Sequence, residues 1–197
     1  EEVVLFAEAL MRMGEERRAL GVLRDVLPES LGGADRGLYR RAVNMMGVAC
    51  FAIGELEEAK TALHVALDMA TQGDDLLMLA QATNNLGAIA TLPGRYEDAL
   101  WHYRLALPTL QRMGKQQRLA EAYHNIGITF RDTGELEEAD EHERRAIEHA
   151  TESAVPGLAA MGRVGRAEIA LRRGDAPLAE TTARLALDEF ERIGDPR

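Results

Sequence analysis

Apolar positions recur along this chain at helical spacing in short runs, and each run stops at a glycine before the next begins. Between residues 36 and 72, Leu38, Val43, Met46, Cys50 and Ile53 fall on one stripe, Gly54 interrupts, and Leu56, Ala59, Leu63, Ala66, Leu67 and Ala70 resume it. The alternation runs the length of the chain and predicts ten helices in five pairs. First helices fall at about 1–13, 36–53, 76–92, 116–133 and 157–173, and second helices at about 15–29, 55–72, 95–113, 135–152 and 175–193. Pro28 and Pro108 occupy equivalent places late in second helices, where a bend is expected.

The pairs are copies of one unit. Gly14, Gly54, Gly94, Gly134 and Gly174 are each forty residues apart. Alanine follows each glycine by five residues (Ala19, Ala59, Ala99, Ala139, Ala179), and a small residue precedes each by seven (Ala7, Gly47, Gly87, Gly127, Ala167). Twelve residues after the glycines stand Val26, Ala66, Ala106, Ala146 and Ala186, followed by Leu27, Leu67, Leu107, Ile147 and Leu187. Five copies in phase, without one insertion, describe a supersecondary unit stacked as a solenoid. The glycine suits the left-handed residue that ends a helix. Glu55, Glu57 and Glu58 then place negative charge on the first turn of the next helix, where the helix dipole favours it. The small residues let antiparallel helices approach closely. The expected organisation is one domain over residues 1–197, with repeats at about 1–34, 35–74, 75–114, 115–154 and 155–197. Ser30-Leu31-Gly32-Gly33-Ala34-Asp35 is a loop between two repeats rather than a domain linker. The chain opens on Glu-Glu-Val-Val without methionine and closes on Ile193-Gly194-Asp195-Pro196-Arg197, which suggests a piece of a longer protein.

Composition narrows the partners. The 197 residues carry a formal charge of -10, with no basic stripe to displace counterions from phosphates, so neither nucleic acid nor an anionic membrane is expected to bind. No apolar run approaches the ~20 residues of a membrane span. The single cysteine, Cys50, rules out an internal disulfide framework and fits a reducing, cytoplasmic setting.

The repeated residues resemble the tetratricopeptide repeat. Asn85-Leu86-Gly87, Tyr96, Ala99, Tyr103 and Ala106 match in the third unit. In the fourth, the matching positions are Tyr123, Asn125-Ile126-Gly127, Phe130, Gly134, Leu136, Ala139 and Ala146. The period exceeds the family's usual thirty-four residues. It is similar to the extended subclass in spindle-orientation adaptors, kinesin light chains and the sensor arms of bacterial regulators and peptide-pheromone receptors. The first and last units depart most, with Glu16, Val26, Arg166 and Ala176 at positions that resemblance makes apolar or alanine. The resemblance implies an all-α, right-handed α-solenoid superhelix of five helix-turn-helix repeats. Its first helices would line a concave groove.

Resemblance also implies which positions face that groove. They are Asn44, Met45, Val48, Phe51 and Ala52 in the second unit, and Asn84, Asn85, Ala88, Thr91 and Leu92 in the third. The fourth unit offers His124, Asn125, Ile128, Arg131 and Asp132, and the fifth Val164, Gly165, Glu168, Leu171 and Arg172. Asn44, Asn84, Asn85 and Asn125 are the four asparagines of the chain, and all fall in this window. Asparagine is a poor interior-helix residue, and its amide both donates and accepts. The four are therefore expected to point into open solvent and grip a peptide backbone. The other reading has them capping or bridging neighbouring helices. His124, Arg131, Asp132, Glu168 and Arg172 give the groove mixed charge or form an ion-pair network. Met45, Phe51, Ile128 and Leu171 are expected to pack between repeats.

Catalytic and metal chemistry find little support. His142 and His149, seven residues apart, share a helix face with Glu138 and Glu141, but no His-Glu-X-X-His pattern exists, and a solvated convex surface is expected. Cys50 reads as a small buried hydrophobe, Tyr103 as core and Trp101 as a partly covered packing residue. No phosphate-binding loop or serine-nucleophile motif occurs. The expectation is a non-catalytic scaffold without cofactor or metal that binds a peptide or protein segment, as the interaction arm of a larger bacterial regulator. The alternative is a self-association element, such as a homodimer, using the final helix with Leu185, Phe190 and Ile193.

Overall fold

A computed structural model describes residues 2–30 and 36–194. The described residues form ten helices joined by short turns: α1 (Glu2–Arg12), α2 (Glu16–Ser30), α3 (Arg36–Ala52), α4 (Leu56–Gln72), α5 (Leu76–Thr91), α6 (Tyr96–Arg112), α7 (Gln116–Thr133), α8 (Leu136–Glu152), α9 (Pro156–Arg172) and α10 (Ala176–Gly194). Each agrees with its expected span to within a few residues. Residues 31–35 of the expected loop lie outside the described residues. Pro108 sits inside α6 without ending it.

The turns explain the period. Gly14, Gly54, Gly94, Gly134 and Gly174 all have positive φ, from 71 to 90°. After Gly14, Gly54, Gly134 and Gly174 the next residue donates its N–H back across the helix end, as in Glu55 to the Cys50 carbonyl at 2.8 Å and Glu135 to the Phe130 carbonyl at 2.9 Å. This bond closes a Schellman-type cap and satisfies a carbonyl the helix leaves free. The turns between repeats use the same device. Asp74, Gly114 and Ala154 have φ of 51, 60 and 53°, and Asp75, Lys115 and Val155 donate to Ala70, Leu110 and Ala150. At the described turns the backbone thus repeats every half unit, while glycine stands at each turn inside a unit but, between units, only at Gly114.

The chain divides into two compact units, Glu1–Pro93 and Gly94–Arg197. The division falls between the two helices of the third repeat. In the first unit, α1 packs on α2 and α3, α2 on α3, α3 on α4 and α5, and α4 on α5. Its core runs from Val4, Ala7, Leu10, Leu23 and Ala66 to Leu20, Ala49, Cys50, Ala59, Leu63 and Leu86. The small-residue columns set the spacing: a methyl at Gly47 would stand 2.7 Å from Leu63 Cγ. In the second unit, α6 packs on α7, α7 on α8 and α9, α8 on α9, and α9 on α10. Ala120, Ala150 and Ala159 meet at one three-helix contact. A methyl at Gly162 would stand 2.7 Å from Ile147 Cγ1, so α8 and α9 nearly touch there. Arg166 of α9, a departure from the repeat pattern, pairs with Asp140 of α8 at 2.7 Å.

Candidate functional site

In the first unit the candidate residues are carboxamides. Asn44 on α3 and Asn84 on α5 stand at the same place in successive repeats. Each has a buried Oδ1 without a hydrogen-bond partner among the described residues. Asn44 and Asn85 are half-buried, but Asn84 is only 5% exposed, which corrects the expectation that all the amides point into open solvent. The reason is the burial of α5 along most of its length, at Met78, Ala80, Ala82, Thr83, Leu86 and Gly87 as well as Asn84. A buried carbonyl oxygen is ordinarily paired with a donor from protein, ligand or water. Met45 and Phe51 pack against the core, as expected.

In the second unit the candidate residues form a charged cluster on α7 and α9. Arg131 donates to Asp132 at 3.1 Å and pairs with Glu168. Arg172 donates to the Arg131 carbonyl at 2.7 Å and lies 3.6 Å from Asp132. Arg131, Asp132, Glu168 and Arg172 therefore bridge the fourth and fifth repeats. Asn125 is half-buried, whereas Leu171 is exposed rather than packed.

His124 has a partner that the sequence did not single out. Its Nδ1 lies 2.8 and 3.1 Å from the two carboxylate oxygens of Glu143, on α8. Glu143 has no exposure at all. Burial pushes its carboxyl up from the ordinary range, while the His124 hydrogen bond and the Arg131 charge pull the other way. Two glycines make room for it. A methyl at Gly127 would stand 2.9 Å from Glu143 Cγ, and a methyl at Gly165 would overlap the carboxylate. A signal was available in the chain: Glu143 continues a column whose earlier members are Leu23, Leu63 and Tyr103, all buried and none acidic.

Other candidates resolve into packing. His142 and His149 are not on an open surface. His149 stacks on Tyr123 at 5.3 Å, and His142 lies between Tyr123 and Phe130. Their Nδ1 atoms face Glu138 O and Gln116 Oε1, at 2.8 and 2.7 Å, and burial holds the His142 pKa below the usual histidine range. Trp101 is exposed, against His102 at 4.9 Å, while Tyr103 is core as expected. Ligand atoms of Cys50, Glu55 and Glu58 lie within 4.8 Å of one another. The cationic position there is taken by Arg24, which donates to Glu55 at 2.9 Å and Glu58 at 2.6 Å. Burial pushes the Cys50 thiol up to about 11, so it is a poor ligand as well.

Residues 78–152 match the family model described as tetratricopeptide repeat. No curated protein matches the chain by sequence. Among solved structures, BtubC (BKLC) from P. vanneervenii is 20% identical with a TM-score of 0.75, over 100% of this chain and 83% of that one. A Rap protein complexed with Competence and Sporulation Factor is 16% identical with a TM-score of 0.86, over 96% of this chain and 54% of that one. The Rap conjugation gene regulator of plasmid pLS20, in complex with the Phr* peptide, is 19% identical with a TM-score of 0.85, over 96% and 52%. The chain thus spans about half the length of the two Rap structures. Its fold is that of tetratricopeptide-like helical repeat proteins, and residues 78–152 carry the repeat in their sequence as well.

Proposed function

We propose that this chain is a non-catalytic scaffold that binds an extended peptide or protein segment along the exposed side of its first helices. The observation that carries the reading is the asparagine column. Asn44, half-buried, holds an amide oxygen without a partner among the described residues, in a fold whose helix C-termini are closed by backbone bonds. A peptide backbone supplies both the donors and the acceptors that such amides match. Two neighbours in fold are described as complexes, one with Competence and Sporulation Factor and one with the Phr* peptide. In the first unit, taken by itself, the residues offered to a peptide are Asn44 and Asn85; in the second they are His124, Asn125, Arg131, Asp132, Glu168 and Arg172. The setting is the cytoplasm of a bacterium, as the interaction arm of a larger regulator; no described helix is long and apolar enough to cross a membrane. Selection from a random peptide library on the intact chain tests this. Peptides should be recovered, and Asn44→Ala and Asn125→Ala should each weaken them about fivefold at unchanged helicity. Recovery of no peptide, or unaltered affinity in both variants, overturns the reading.

One observation favours a second role, in homodimer formation or a longer self-assembly. Leu178, Leu185, Leu187, Phe190 and Ile193 of α10 are exposed. Ile147, the equivalent of Leu187, lies against α9 at Gly162, so α10 presents a face that α8 covers with a following helix. Sedimentation over a concentration series decides it, and a monomer at every concentration removes this role.

A further inference from the structure

Two columns of the repeat break together in the second unit. The column of Leu23, Leu63 and Tyr103 becomes Glu143, and the column of Met45, Asn85 and Asn125 becomes Gly165. The two departures fit each other, since any side chain at 165 would occupy the space of the Glu143 carboxylate. A carboxylate with no exposure is costly to bury, and the side chain at hydrogen-bond distance from it is that of His124, through Nδ1. His124 itself follows Asn44 and Asn84 in their column, ahead of Val164. Its ring keeps 13% of its side-chain surface in solvent, and Nε2 lies on the edge away from Nδ1.

We propose that Glu143 is a positioning residue that holds His124 as the Nδ1–H tautomer, so that the fourth repeat presents a bare Nε2 to accept a backbone N–H from the bound peptide. This rests on the groove reading given above. An ionised carboxylate only accepts, so the ring nitrogen facing it carries the hydrogen, and the other nitrogen of a neutral imidazole is an acceptor. A half-buried carboxamide such as Asn44 can turn either end of its amide toward a ligand, whereas His124 held in this way offers one polarity. The fourth repeat therefore contributes direction along the peptide, which a carboxamide at this position would leave open. Arg131 on α7 and Glu168 on α9 are the other charged groups acting on the carboxylate.

The test has one arm that needs no ligand. Long-range nitrogen–proton correlation on the intact labelled chain reads the His124 tautomer, with His124→Asn assigning its signals among the five histidines. Neutral His124 should carry its hydrogen on Nδ1, and Glu143→Leu, which restores the residue of the second repeat, should release that preference. The second arm uses a peptide selected on the unmodified chain and a set of its singly N-methylated derivatives, each lacking one backbone donor. One methylation should weaken binding about five- to tenfold. That penalty should vanish in His124→Ala and in Glu143→Leu. Gly165→Ala, which displaces the carboxylate while leaving Glu143 in the chain, serves if the leucine variant does not fold. A neutral His124 carrying its hydrogen on Nε2 overturns the proposal, because a protonated Glu143 would then be the donor. Identical methylation profiles in the unmodified chain and in Glu143→Leu overturn it too, while leaving the groove reading intact. Failure to select any peptide overturns the groove reading and this one with it.

Discussion

Replacing Gly165 by alanine isolates what the Glu143 pocket requires. In the middle of an exposed helix the change would stabilise by about 1 kcal/mol, because alanine loses less backbone entropy. Gly21, interior to α2 with nothing within 4 Å of an added methyl, measures that gain directly. At position 165 the added methyl instead meets the Glu143 carboxylate, with the carboxyl carbon only 2.6 Å away. The side chain has no exposure, and a methyl built at Gly127 would already stand 2.9 Å from its Cγ, so little free space surrounds it. Overpacking of this kind costs about 1–3 kcal/mol. Displacing the carboxylate from His124 adds about 1.5–3 kcal/mol, the usual contribution of a hydrogen bond to a charged group. Gly165→Ala should therefore lose about 1.5–5 kcal/mol net, whereas Gly21→Ala should gain. In a Glu143→Ala background the obstruction is absent, and Gly165→Ala should recover the helix-propensity gain. Urea unfolding followed by far-ultraviolet circular dichroism, with a constant m-value as the check on cooperativity, gives the four free energies of the cycle. A double mutant additive to within about 0.5 kcal/mol would refute the claim that the glycine exists to admit the carboxylate.

Ala154 sits at φ 53°, where a β-carbon is strained, so Ala154→Gly should stabilise by about 0.5–1 kcal/mol in the same urea assay, and Asp74→Gly by less, because aspartate tolerates that conformation better. Cys50 is buried with its thiol pushed up to about 11, so a thiol-specific disulfide reagent at neutral pH should label the native chain only at the rate of unfolding; rapid labelling would show the position open. Glu143 binds its proton more tightly in the folded than in the unfolded chain, so its contribution to stability is fully present below the ordinary glutamate pKa of ~4.3 and is lost as pH rises through the raised value. Glu143→Gln should flatten that decline in urea midpoints measured across pH, and an unchanged slope would show that the carboxyl is not desolvated.

Most of the fold was legible because the features that set it are local and repeated. A left-handed glycine, an acidic first turn and alanine at helix contacts leave their mark at a fixed offset, and five copies make the offsets visible. The helix ends followed to within a few residues for the same reason. The turns between repeats were harder to read. Asp74, Gly114 and Ala154 share one backbone conformation with three different side chains, because aspartate and alanine can be held there at modest strain. Side-chain identity therefore hid a twenty-residue periodicity that the backbone keeps.

The site was legible only in part, and the failures share a cause. Asn84 follows the column of Asn44, yet burial of α5 encloses it, which depends on neighbouring helices rather than on its own segment. His142 and His149 looked solvated from the charge around them, but the rings of Tyr123 and Phe130 come from the preceding helix to cover them. Glu143 is the instructive case. On its own helix it is one acidic residue among several, in Glu-Glu-Ala-Asp-Glu-His-Glu, and local composition gives no reason to bury it. Read down the column of Leu23, Leu63 and Tyr103, it is the one charged residue in a core position, and Gly165 is the gap cut to fit it. In a repeat chain, residues that keep the pattern specify the stack, so a polar residue that breaks a buried column must be explained by what it faces. Here it faces the imidazole that follows Asn44 and Asn84 in their column, so the buried carboxylate and the change from carboxamide to imidazole meet at one contact.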